Sequence, residues 1–98
     1  MPKVILQISY EIKDDKRDEY LELAAELRGH FAGELKKDYR IYEQRGKKNH
    51  FTEQFVCSSM DEYEALEDGM TERSAALVNR LESLIRDGKA KYITLIEI

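Results

Sequence analysis

The spacing of apolar residues changes period four times along this chain, and that alternation constrains the fold more than any single motif. From residue 3 to 12 the period is two: Val4, Leu6, Ile8, Tyr10 and Ile12 share one side, and Ile5, Gln7, Ser9 and Glu11 the other. Such alternation predicts a strand. Between residues 17 and 35, Tyr20, Leu23, Ala24, Leu27, Phe31 and Leu35 recur at intervals of three and four. That stripe predicts an amphipathic helix of about five turns, with Asp14 or Asp15 placed to cap its start. Gly29 and Gly33 fall in its second half, where each weakens a helix by roughly 1 kcal/mol relative to alanine. They predict either close packing or fraying.

Period two returns from Asp38 to Arg45, with Tyr39, Ile41 and Tyr42, and again from His50 to Cys57. The polar run Gly46 to Asn49 between them reads as a hairpin turn. On the third strand Phe51, Glu53, Phe55 and Cys57 share a face. Ser59 to Glu62 has the spacing of a capping box, opening a short helix through Tyr63 and Leu66 that stops near Gly69. A further helix carries Leu77, Val78, Leu81, Leu84 and Ile85 to Gly88, and Lys91 to Ile98 forms the last strand. The order is βαββαβ with a divided second helix. It predicts one α+β, ferredoxin-like domain over residues 1–98, a four-stranded antiparallel sheet with its helices on one face.

Apolar side chains nevertheless occur on both sides of the strands: Tyr92, Thr94, Ile96 and Ile98 on one side of the last, Ile93 and Leu95 on the other. A sheet covered on one face only should be polar on the other. The expectation is a homodimer whose sheets pack face to face about a two-fold axis.

Charge excludes some functions. The net charge is −4, acidic and basic residues are interleaved, and no basic stripe is present, so a nucleic-acid partner is not expected. RNA-recognition modules share this element order, but the spacing from Gly46 to Phe51 does not match their motif. Acylphosphatases share it too, but the loop after the first strand has no glycine-rich anion cradle. No apolar run approaches the length of a membrane span, and the first residues lack an export signal, which predicts a cytoplasmic protein with no membrane partner. The single cysteine, Cys57, forms no internal disulfide and has no histidine on its strand end to activate it. His30 and His50 are spaced with no second ligand, so no metal is expected, and both are expected to face solvent.

Three short stretches carry a family likeness: Tyr42 and Glu43 in the second strand, Phe51 to Phe55 (FTEQF) in the third, and Asp61 to Leu66 (DEYEAL) in the helix after it. With the element order, they resemble the dimeric α/β-barrel superfamily, and within it the antibiotic-biosynthesis-monooxygenase branch of cofactor-free oxygenases and haem-degrading enzymes. The resemblance implies a dimeric α/β barrel and, in each subunit, a small-molecule pocket between sheet and helices. Its members often have a tryptophan where this chain has Phe55 and a histidine near Asp68 and Gly69, where this chain has none. No haem or other cofactor is therefore expected.

Glu53 is the sharpest chemical candidate. Between Phe51 and Phe55 a carboxylate is partly desolvated, which favours its neutral form and suits it to act as acid or base. The competing reading is an arginine partner, or a wetter face. Gln7, near where haem-degrading members place an asparagine, would orient a ligand by hydrogen bonds if its side of the first strand lines the pocket. Tyr42 would lend a phenol, and Phe55 a wall. The expectation is a monooxygenase-like enzyme or binding protein with Glu53 catalytic and Gln7, Tyr42 and Phe55 binding substrate. The alternative is a non-catalytic regulatory or ligand-binding dimer of the same fold. A hollow between helices and sheet separates the two.

Overall fold

The computed structural model describes residues 2–98. Its elements run β1 (Val4–Glu11), α1 (Arg17–Arg28), β2 (Asp38–Glu43), β3 (His50–Cys57), α2 (Met60–Glu64), α3 (Glu72–Leu84) and β4 (Lys91–Ile96). The strands form one antiparallel sheet in the order β2-β3-β1-β4, the ferredoxin-like arrangement, with β1 and β3 central. Among the described residues, no helix is long and apolar enough to cross a membrane.

Register decides what faces the helices. Tyr10 lies opposite Phe51, Ile8 opposite Glu53, Leu6 opposite Phe55 and Val4 opposite Cys57, so these eight side chains share one face. Tyr39, Ile41 and Glu43 on β2, and Tyr92, Thr94 and Ile96 on β4, fall on the same face. Against it pack Tyr20, Leu23, Leu27 and Phe31 from the first helical segment and Leu77, Leu81 and Leu84 from α3, all buried. Each fully buried apolar side chain contributes about 1.5–3 kcal/mol.

The opposite face carries no helix. Gln7 donates its amide N–H to Gln54 Oε1 at 3.3 Å, and Ser9 and Thr52 hydroxyls meet at 3.0 Å. Around these pairs lie Ile5, Val56 and Ile93, partly buried, with Tyr42 and Leu95 exposed.

Several local expectations are corrected. The first helix is α-helical only to Arg28 and continues as a π-helical turn over Gly29–Glu34, in which the Leu35 N–H reaches the His30 carbonyl at 2.9 Å. A Cβ at Gly29 or Gly33 would meet nothing within 4 Å, so neither glycine serves close packing. Their weak helix propensity instead coincides with the widened turn. His30, expected in solvent, is only 2% exposed: its Nε2 meets Ser74 Oγ, and its Nδ1 lies 3.3 Å from Glu34 Oε1. The imidazole thereby ties the π turn to the start of α3. Neither Asp14 nor Asp15 caps α1. Asp14 pairs with Arg86 at 3.1 Å instead, so its carboxylate is committed to a long-range contact. At α2 the Ser59 hydroxyl accepts from the Glu62 N–H, but the Glu62 carboxylate accepts from Ser58 rather than closing the box on Ser59. Reciprocal capping occurs at α3, between Thr71 and Ser74.

Candidate functional site

The helix–sheet interface is hollow. A cavity of about 500 Å³ lies between the β1–β3–β4 surface and α3 with the segment that follows it. Val78, Leu81 and Ile85 form its roof, and Ile8, Glu53, Phe55 and Tyr92 its floor. Gly88 and Ala90, in the segment after α3, also line it, and Tyr92, across from Ile8 on β4, is 67% exposed.

Glu53 stands on this floor at only 4% exposure. The Tyr39 phenol donates to its Oε1 at 2.6 Å. Tyr39 arrives from β2, where its backbone lies opposite Phe55. Beyond it the Tyr10 and Tyr20 hydroxyls meet at 2.8 Å, and Tyr20 stacks on Phe51 with ring centroids 4.3 Å apart. No lysine, arginine or histidine among the described residues pairs with Glu53. The arginine-partner reading of this carboxyl therefore does not hold.

The electrostatics follow from that isolation. Burial pushes the Glu53 carboxyl above the ordinary carboxylate range, opposed by the Tyr39 hydrogen bond and, less, by the nearby Tyr10 phenol. Burial also raises Tyr10 and Tyr39, and the nearby carboxyl raises both further. Tyr20 is raised chiefly by burial. The phenols therefore remain neutral donors, and the site holds a protonatable acid in an apolar hollow. Such an acid can accept a proton from a bound molecule or return one.

Of the expected site residues, the structure brings together Glu53 and Phe55, which both line the cavity. It separates Gln7 and Tyr42 from them. Gln7 lies opposite Gln54 and Tyr42 opposite Thr52, on the sheet face that carries no helix. Side-chain parity accounts for the correction: both are one residue out of phase with Glu53 in the paired register. Gln7 is satisfied there by Gln54, and Tyr42 is 47% exposed. The residues missed were Tyr10 and Tyr39. Their signal was the same parity, since each stands opposite a phenylalanine of the Glu53 face. Among the described residues no three His, Cys, Asp or Glu side chains converge as metal ligands.

No family model matches the sequence. No curated protein matches it either. The solved structures do. An antibiotic biosynthesis monooxygenase superposes with a TM-score of 0.78 at 23% identity, covering 100% of this chain and 99% of that one. A mutant form of SnoaB, a cofactor-independent oxygenase from Streptomyces nogalater, gives 0.73 at 13% identity, over 95% and 90% of the two chains. A conserved protein from Methanosarcina mazei gives 0.81 at 14% identity, over 97% and 92%. The chain thus has the ferredoxin-like fold of the antibiotic-biosynthesis-monooxygenase structures.

Proposed function

We propose that this chain is a monooxygenase-like, small-molecule enzyme whose active cavity is the hollow between sheet and helices, with Glu53 as its acid–base group. The supporting observation is a carboxyl almost wholly buried on the wall of an apolar cavity, held by a phenol and paired with no cation. The protein works as a homodimer through its helix-free face, and needs no cofactor. An oxidisable aromatic or polyketide-like substrate supplies the electrons for oxygen, and Glu53, in its ionised form, takes the proton whose loss makes the substrate electron-rich. The likeness in fold to a cofactor-independent oxygenase supports this chemistry.

A second reading has its own observation. With Gln7 and Tyr42 on the other face, the polar groups around Glu53 are few, which suits a binding site without turnover. Two measurements separate these readings. The neutral fluorophore N-phenyl-naphthylamine should bind saturably, and Val78→Trp, which fills the cavity, should abolish the signal. Oxygen uptake with a hydroxylated anthrone should be accelerated by the chain and slowed roughly 10²–10⁴-fold by Glu53→Gln. Fluorophore binding without accelerated uptake favours the binding protein, and absence of fluorophore binding refutes both.

A further inference from the structure

The same cavity carries a charge argument about its occupant. Its ionisable lining comprises two carboxyls and one ammonium: Glu53 at the floor, Glu82 on α3 and Lys89 in the segment after it. Tyr10 and Tyr92 also line it, and burial with the adjacent carboxyl keeps the Tyr10 phenol neutral. The deep end therefore holds a carboxyl to which the protein presents hydrogen-bond donors but no positive charge. An isolated carboxylate in such surroundings is costly, and the free protein relieves that cost by protonation; a bound cation offsets it by charge. The walls suit a cation as well. Phe31, Phe55, Tyr10 and Tyr92 line the hollow, with Phe31 and Phe55 edge to face at 5.3 Å, and aromatic faces attract ammonium groups.

We propose that the cavity binds an organic ammonium with an aromatic or otherwise apolar body, its N–H groups on Glu53 and its body against Phe31, Phe55 and Tyr92. This rests on the reading of the hollow as the ligand site. A neutral alcohol or carbonyl compound gains only an uncharged hydrogen bond there, whereas the ammonium gains a charge-assisted one of about twice the strength. A carboxylate ligand meets like charge at Glu82 and at ionised Glu53, and its only cation is Lys89 in the segment after α3.

Proton bookkeeping follows. A primary ammonium keeps its proton up to about pH 10, while the protonated Glu53 of the free protein must ionise to pair with it. Binding below the Glu53 midpoint therefore releases one proton to solvent. Affinity rises by up to tenfold per pH unit until the free carboxyl is ionised, then levels. The groups facing Glu53 from the packed elements are Tyr10 on β1, Tyr39 on β2, Tyr20 on α1 and, across the cavity, Glu82 and Lys89. The raised phenols do not titrate in this window.

Displacement of bound N-phenyl-naphthylamine by phenethylamine, phenethyl alcohol and phenylacetate tests the proposal, because the three competitors share one body and differ in head group. Above the Glu53 midpoint the expected order is amine tightest by at least tenfold, then alcohol, then acid; below that midpoint, calorimetry in two buffers should show proton release for the amine alone. Glu53→Gln, its fold checked by circular dichroism, should bring the amine to the affinity of the alcohol. If that variant does not fold, the order of affinities and the proton count in the parent still decide. An alcohol as tight as the amine, or an amine affinity untouched by Glu53→Gln, overturns the ammonium assignment and leaves the cavity as a site. A fluorophore that never binds overturns the site itself, and this inference with it.

Discussion

The two faces of the sheet are built from the same four strands yet handle polar groups in opposite ways. On the open face, Gln7 with Gln54 and Ser9 with Thr52 form neutral pairs side by side, so each group is satisfied by its neighbour across the strand. On the helix face one carboxyl, Glu53, is buried among phenols and rings with no opposite charge. The same glutamate type behaves differently on β2. Glu43 receives two hydrogen bonds from Arg17, at 2.6 and 2.8 Å, and one from the Asn49 N–H at 3.0 Å, which hold its carboxyl down to about 2. Glu43 is held by a cation, whereas Glu53, the buried carboxyl that borders the cavity, has none among the described residues. An unpaired buried ionisable group in a concave apolar site is the usual physical mark of function.

That contrast can be broken at several points. The largest effect should come from the helix-covered core: Leu27→Ala, at a fully buried position, should cost about 2–5 kcal/mol in a urea titration. A loss below that range would mean the core is looser than its burial indicates. If the open face is the proposed dimer surface, Ile93→Lys there should give a folded monomer, read by sedimentation with circular dichroism unchanged. An assembly unaltered by that charge would remove the open face as the dimer surface.

A smaller effect separates the two glutamates by pH. The lowered Glu43 carboxyl contributes stability that is present above its unfolded midpoint and is lost as pH falls towards about 2. Arg17→Gln should flatten that acid limb of the melting curve, and an unchanged limb would contradict the pairing. Glu53 has the opposite sign. Its raised midpoint favours the neutral form, so its contribution is full below the ordinary glutamate value and is lost as pH rises through the folded one. Glu53→Gln should therefore match the parent in acid and melt slightly higher at neutral and alkaline pH. Marked destabilisation at neutral pH would mean that the carboxylate has a buried cation partner after all.

The fold was readable because hydrophobic period is a local property. The parity of Phe51, Glu53 and Phe55, and the apolar side Val4 to Ile12, needed no partner strand to be seen. The site was only half readable. Placing Gln7 or Tyr42 beside Glu53 is a statement about register between strands, and in the paired sheet both fall out of phase with it. Since the Val4–Ile12 side is the more apolar, it was the side to place under helices, and that choice alone puts Gln7 outside. His30 was misplaced for a different reason. It stands three residues after Leu27 and seven after Leu23, on the buried stripe of the helix itself, where it meets Ser74 instead of solvent. The hollow itself leaves no periodic trace, because it depends on how far α3 stands from Ile8 and Tyr92.

The central claim is that Glu53 is a buried acid without a counter-ion, poised on the cavity. Carbon-13 NMR titration of its side-chain carboxyl, assigned by the resonance that Glu53→Gln removes, measures this directly. The account predicts a midpoint above the ordinary glutamate value, raised further in Tyr39→Phe, which deletes the hydrogen bond that opposes the shift. A midpoint at or below the ordinary value would contradict it.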